Sequence, residues 1–263
     1  LSSANVSMIA ESRTPSLCKH LACGAAVAVV CVVSLFRTDL PMIATPSGQW
    51  DFEAYYYAVK TYDAGGNPWN NDEMCQTAGH WVHYFYYPHH TLAFFRLFAL
   101  GDLASGKALF LAVKLACATA LCLLWTTCFV RPGARGWFIA FLAVGFNTAL
   151  ARDLVCGNVS LFEQSLIWFG VYALLRGRPW LFCAFILLAA QFKILPIGLL
   201  GLVLLTDTPQ KWRCFAAGVF SAGLIAAAVC LSDPRAAVLF WQASRELGTG
   251  DLGGFYNPSS LPL

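Results

Sequence analysis

At 263 residues, 58% of them hydrophobic and only 12% charged, the chain is too apolar for a soluble domain, in which about a quarter of residues are charged. It reads as an all-α, polytopic integral membrane protein, because helices satisfy their own backbone polar groups in lipid. Seventeen basic residues against 14 acidic ones give a net charge of only +3 with no basic stripe, which excludes a nucleic-acid partner.

The chain opens with Arg13 and Lys19 ahead of an apolar segment, Leu21–Phe36, that no A-x-A cleavage site follows. This is the pattern of an anchor rather than a removable signal. Residues 1–20 are thus expected in the cytoplasm and residues 21–231 in a transmembrane domain. An outer loop, 37–81, carries QWDFEAYYYAVKTYDAGGNPW, Gln49 to Trp69. A carboxylate among tyrosines and tryptophans suits the membrane–water boundary. Phe52, Tyr55, Tyr56 and Val59 fall at i, i+3, i+4 and i+7, one apolar face of a helix. Asp51 opens that helix and reads either as an N-cap or as a catalytic carboxylate; the two are compatible. Glu53 and Asp63 read as solvated.

HWVHYFYYPHH, residues 80–90, then gathers four of the five histidines. The spacing is poor for zinc, since the adjacent His89 and His90 cannot readily face one ion and no cysteine joins them. Hydrogen-bonding histidines in an aromatic belt are the plainer reading. Tyr87–Pro88 looks like a helix start with proline in the first turn. The apolar segments that follow are Val82–Leu100, Leu103–Val130, Gly136–Ala151, Val159–Leu175, Trp180–Leu205 and Cys214–Leu231. Some are shorter than the roughly 20 residues that cross a bilayer. Most of the 11 cysteines lie within these runs as small hydrophobes. Cys75 and Cys156, alone in expected loops, are the candidate disulfide pair.

Basic clusters at Arg13/Lys19, Arg131/Arg135, Arg176/Arg178 and Lys211/Arg213 belong in the cytoplasm by the positive-inside rule. Asp51, Arg152, Asp153, Asn158 and Lys193 then converge on one outer face. The assignment requires Val82–Leu100 to be interfacial or re-entrant. It also makes Trp180–Leu205 a hairpin broken near Lys193 and Pro196. Arg152 and Asp153 read as an ion pair at a helix end, and Gly157–Asn158 as a turn. Glu163 and Gln164, two turns into an apolar run, are expected to line a cavity or bond another helix. Lys193 is too far from either end of its run to snorkel, so it should face a polar cavity, where an ammonium suits a phosphate oxygen. Ser232–Asp233–Pro234 starts a further helix, expected at the outer interface with Val238, Leu239, Phe240, Trp241 and Leu247 along it.

Taken together these segments resemble the family 87 glycosyltransferases, multi-pass enzymes of the GT-C class that include polyprenyl-phosphate-mannose-dependent mannosyltransferases. WDFEAYYYA (Trp50–Ala58) resembles the family's Asp and Tyr-rich helix in the first outer loop. FYYPHH (Phe85–His90) resembles its Tyr-Pro-Pro element, with His89 in place of the second proline. GNVSLFEQ (Gly157–Gln164) resembles its Gly-Gln-x-Asn segment, with Asn158 and Ser160 in place of Gln and Asn. FKILP (Phe192–Pro196) resembles its Lys-x-x-Pro signature, and YNPSSL (Tyr256–Leu261) a later Asn-x-Ser element. The resemblance implies a GT-C-like helical bundle in the plasma (inner) membrane with its active site on the extracytoplasmic face. It implies inverting transfer of a hexose, mannose being the family's example, from a polyprenyl-phosphate donor to a lipid or glycan acceptor. Asp51 would be the catalytic base. Lys193, Arg152, Asn158, Gln164, Tyr55, Tyr56, Tyr87, His89 and His90 would bind substrate. No cofactor and no metal is expected. Family members continue beyond the last motif, so residues 232–263 read as an outer loop of a truncated chain, whose activity stays open.

Two other readings use the same residues. A transporter or proton-coupled carrier would place Lys193, Glu163 and Asp51 on a cavity wall beside a broken helix. A lipid-binding scaffold would use the aromatics but leaves the intramembrane lysine unexplained.

Overall fold

A computed structural model describes residues 48–145 and 147–248, with positions 41 and 45. The expected span Leu21–Phe36 and the YNPSSL segment lie outside the described residues. Among the described residues every regular element is helical.

Helix α1, Trp50–Asp63, buries the face its spacing marks out: Phe52, Tyr55, Tyr56 and Val59 are all buried. The partners are aromatic. Tyr55 stacks on Phe95 with centroids 4.2 Å apart, and Phe52 meets Phe110 at 4.6 Å. Each such side chain withdrawn from solvent contributes roughly 1.5–3 kcal/mol, enough to pin α1 against the bundle. Helix α2, Asn71–Ala78, starts on Asn70, whose side-chain oxygen accepts from the Asp72 and Glu73 N–H groups. Residues 80–90 then run without helix. A short α3, Thr91–Arg96, follows the Pro88 carbonyl, which accepts from both the N–H and the hydroxyl of Thr91. One turn and a half of helix cannot cross a bilayer, so Val82–Leu100 is no span, in keeping with the topology the basic clusters require.

Helix α4, Leu103–Leu124, is capped by Asp102 and prolonged by a π turn, Trp125–Phe129. It crosses α1 closely because residue 106 is glycine: a Cβ there would stand 2.5 Å from the Phe98 carbonyl oxygen and 3.1 Å from Phe52. The chain continues through α5 (Arg135–Gly145), α6 (Asn147–Cys156), α7 (Ser160–Leu175) and α8 (Pro179–Ala189). A 3-10 helix (Leu195–Leu205), α9 (Lys211–Ser232) and α10 (Pro234–Gly248) complete it. Two helices, Leu103–Phe129 and Lys211–Ser232, are long and apolar enough to cross a membrane. The break expected within Trp180–Leu205 is present: α8 stops at Ala189, and the 3-10 helix begins with Pro196 in its first turn.

The bundle has two unlike ends. Helices α4 and α7 run the same way, with Phe110 near Phe162 and Trp125 near Trp168. Arg131/Arg135 and Arg176/Arg178 therefore share one end. The Trp180 indole donates to Gln210 across 3.0 Å there, bringing Lys211/Arg213 to the same end. The other end gathers the start of α7, the break after α8 and Ser232 at the close of α9. At that end Asp233 caps α10 as expected, accepting from the Ala236 N–H at 3.0 Å, and its second oxygen accepts from the Tyr62 hydroxyl at 2.5 Å.

Two expectations are corrected. Cys75 and Cys156 are free thiols. Cys75 lies within α2, where its sulfur accepts from the Val82 N–H at 3.4 Å, and Cys156 ends α6, so neither occupies the open loop assumed for it. Glu53 is not merely solvated either. It bonds His80 at 2.6 Å and Lys107 at 2.9 Å, tying α1 to the 80–90 segment and to α4.

Candidate functional site

Asp51 is held in place by the backbone before it. The cap position of α1 belongs to Gln49, not Asp51, and its side chain makes no cap bond. Gln49 sits at φ 58°, in the left-handed region, where a non-glycine residue costs about 1–3 kcal/mol. Its N–H donates to the Val155 carbonyl at 2.7 Å, so the strain accompanies a strap between α1 and the end of α6. Asp51 occupies the second position of α1. There its carboxylate is free of capping duty and is favoured by the positive end of the helix.

Gly157 completes this arrangement. It turns the chain at φ 74°, and a Cβ would lie 3.0 Å from Gln49 and 3.1 Å from Phe52. Gly157→Ala should therefore lower stability by about 1–2 kcal/mol from backbone conformation alone, with a further loss as α1 is pushed away. Thermal unfolding in detergent checks the first, and a fall in activity out of proportion to that loss checks the second.

From the turn outward, four side chains join in series. The Asn158 amide donates to Asp51 Oδ2 at 2.9 Å. Its own oxygen accepts from the N–H of Ser160 at 3.1 Å and from its hydroxyl at 2.8 Å. Lys193, at the break after α8, donates to Ser160 Oγ at 3.1 Å and lies 3.3 Å from Glu163 Oε2. A carboxylate at one end and an ammonium at the other are thus spaced by Asn158 and Ser160. Burial pushes the Asp51 carboxyl above its ordinary value. The Asn158 bond and the charges of His83, Lys114 and Lys193 pull it back down. A buried carboxylate with a raised pKa is a better base than a solvated one.

The other expected site residues fall into two groups. Arg152 joins Asp51's surroundings by stacking its guanidinium over the Trp50 ring, 5.5 Å from the centroid. It does not pair with Asp153 as its sequence position suggests. Tyr55, Tyr56 and Tyr87 are buried in the aromatic core; Tyr55 and Tyr87 share a hydroxyl contact at 3.3 Å, and Tyr56 donates to the Gly101 carbonyl. His89 meets the Ser232 hydroxyl at 3.2 Å and His90 the Gln191 carbonyl at 3.1 Å, which fastens the 85–90 segment to the ends of α9 and α8. Gln164 is exposed and lies away from the cluster, while Glu163, one residue and about 100° around α7, is 7% exposed and faces Lys193.

Sequence reasoning passed over Lys114. It is fully buried in α4, lies 2.8 Å from Asp153 Oδ2, and donates to the Asp153 carbonyl at 2.6 Å. The signal was the same as for Lys193: a lysine deep in an apolar run. His83 is also part of the site. Its ring lies 6.3 Å from that of Trp50, and burial holds its pKa below the ordinary value against the pull of Asp51.

The sequence model of glycosyltransferase family 87 matches residues 85–262. It takes in FYYPHH, GNVSLFEQ and FKILP and begins after α1. No curated protein and no solved structure matches the chain.

Proposed function

The chain belongs to glycosyltransferase family 87, and from that premise we propose that it transfers a hexose, mannose being the first candidate, from a polyprenyl-phosphate sugar to a lipid-linked or glycan acceptor, with inversion. The family implies a sugar donor and an acceptor, and the two apolar helices suit a membrane protein. The observation that carries the finer reading is the series Asp51–Asn158–Ser160–Lys193, which sets a base and a cation at fixed separation. The acceptor hydroxyl gives its proton to Asp51 as its oxygen bonds the anomeric carbon. The bond from that carbon to the phosphate oxygen breaks, and its electron pair leaves on the phosphate. Lys193, with Arg152, stabilises the growing negative charge. Glu163, 3.3 Å from Lys193, balances its charge. A donor whose lipid tail stays in the bilayer requires the site at an interface, and the positive-inside rule favours the extracytoplasmic side of the plasma membrane.

The full-length product in detergent, given radiolabelled polyprenyl-phosphate-mannose and a membrane lipid extract as acceptor source, should form a labelled product of inverted anomeric configuration. Absence of donor-dependent transfer with any polyprenyl-phosphate hexose would overturn the reading. Solute uptake into liposomes, indifferent to prenyl donors, would favour a carrier instead. Lys193→Gln should lower kcat by about 10²–10³, and Lys193→Arg by less because the charge is kept.

A further inference from the structure

A cleft opens between the α1–α2 connection, the extended 84–86 segment and α10. Its volume is 330 Å³, at the lower end of the roughly 300–1,000 Å³ range of small-molecule sites. The chemistry of its walls is specific. In an extended segment alternate side chains face opposite ways. Phe85 turns inward to Tyr55 and Phe95, while Tyr84 and Tyr86 share the other side, their rings 5.9 Å apart at 20°. Tyr86 is 43% exposed, an aromatic surface presented to the cleft. Trp69 is fixed on the adjoining wall by its indole N–H, which donates to the Tyr87 carbonyl at 2.9 Å.

Amides and carboxylates line most of the rest, Asn67 and Asn71 from one side and Gln242 from the other, with Asp72 and Glu246, beside Leu239 and Ala243 of α10. The side-chain oxygen of Asn71 is buried and lacks a hydrogen-bond partner among the described residues. Among the described residues no lysine, arginine or histidine lines the cleft, which makes it a poor phosphate site. The polar walls are equally unsuited to a prenyl chain. Aromatic faces take the C–H face of a pyranose ring, and amides and carboxylates take hydroxyls that both donate and accept. We propose that this cleft binds the saccharide portion of the acceptor, separately from the donor phosphate, which goes to Lys193. Tyr86 lies three residues along the same extended segment from His83, whose ring is 6.3 Å from that of Trp50, the neighbour of Asp51 in α1. The identification of the ligand as an acceptor rests on the transferase reading; the saccharide site itself does not.

The test uses the full-length product in detergent with methyl α-mannopyranoside and mannobiose as probes, read by saturation-transfer NMR. Saccharide signals are expected in the wild type and in Asp51→Asn, and should weaken about tenfold in Tyr86→Ala and Gln242→Ala. In the transfer assay the same two variants should raise acceptor KM about tenfold with donor KM unchanged. Binding that persists without any transfer would sink the transferase reading and keep the saccharide site. Signals that are absent, or equal in wild type and both variants, would overturn the cleft assignment even if transfer proceeds. Gln242→Ala, on the exposed side of α10, guards against loss of signal through misfolding at Tyr86.

Discussion

Asp51→Asn should lower kcat by about 10²–10⁴, the range general-base catalysis supplies, without loss of fold. The amide has the same shape, and its oxygen can still accept from Asn158, whose bond to Oδ2 spans 2.9 Å. What it lacks is affinity for a proton. The pH profile carries the same claim with a definite sign. Asp51 must be ionised to act, so kcat/KM is lost as pH falls through its pKa, which burial holds above the model-compound value of 3.8. Asn158→Ala removes a bond that favours the ionised form, so it should move the acid limb to higher pH. A shift to lower pH, or an acid limb unchanged in both variants, would remove Asp51 from the base role. Circular dichroism and unfolding in detergent separate chemistry from folding.

Lys114→Met should be the most destabilising single change in the bundle. Lys114 has no exposed surface, and its ammonium lies 2.8 Å from Asp153. Breaking a buried pair strands the remaining charge and costs about 3–5 kcal/mol. Removing both partners is a different matter, since well-packed apolar replacements are often neutral. The double variant Lys114→Met with Asp153→Leu should therefore regain most of the stability lost in the single one. Denaturant unfolding of the two variants side by side checks this. A second readout concerns function: Lys114 lowers the pKa of Asp51 while Asp153 repels its carboxylate, so the single variant should show an acid limb at higher pH and the double variant a smaller shift.

Much of this architecture was legible in residue order. The i, i+3, i+4, i+7 spacing marked the buried face of α1, because helical periodicity is a local property. Proline and lysine together marked the break after α8. The basic clusters gathered Asp51, Asn158 and Lys193 at one end without any contact being known. What escaped was partner choice across elements. Asp153 stands next to Arg152 in the chain, yet its carboxylate meets Lys114 from another helix, since helix geometry turns adjacent side chains about 100° apart. Of Glu163 and Gln164, both expected at a cavity or another helix, Glu163 meets Lys193 and Gln164 is exposed, for the same reason. The resemblance gave Tyr55, Tyr56 and Tyr87 to the substrate, and all three are buried in the aromatic core. Tyr84 and Tyr86, which do face an opening, drew no attention because an irregular extended stretch leaves a weak periodic trace.

The broken hairpin has a further effect on its surroundings. Eleven α-helical residues of α8 rise about 17 Å, and eleven 3-10 residues about 22 Å, against a hydrocarbon slab of about 30 Å. A hairpin this short, set in a bilayer, is matched by local thinning of the lipid beside it or by snorkelling flanks. Under the proposed transfer, such thinning would let the phosphate of a polyprenyl-linked donor reach the Lys193 ammonium with its tail still dissolved among the acyl chains. In that sense the protein would shape the solvent that delivers the proposed donor.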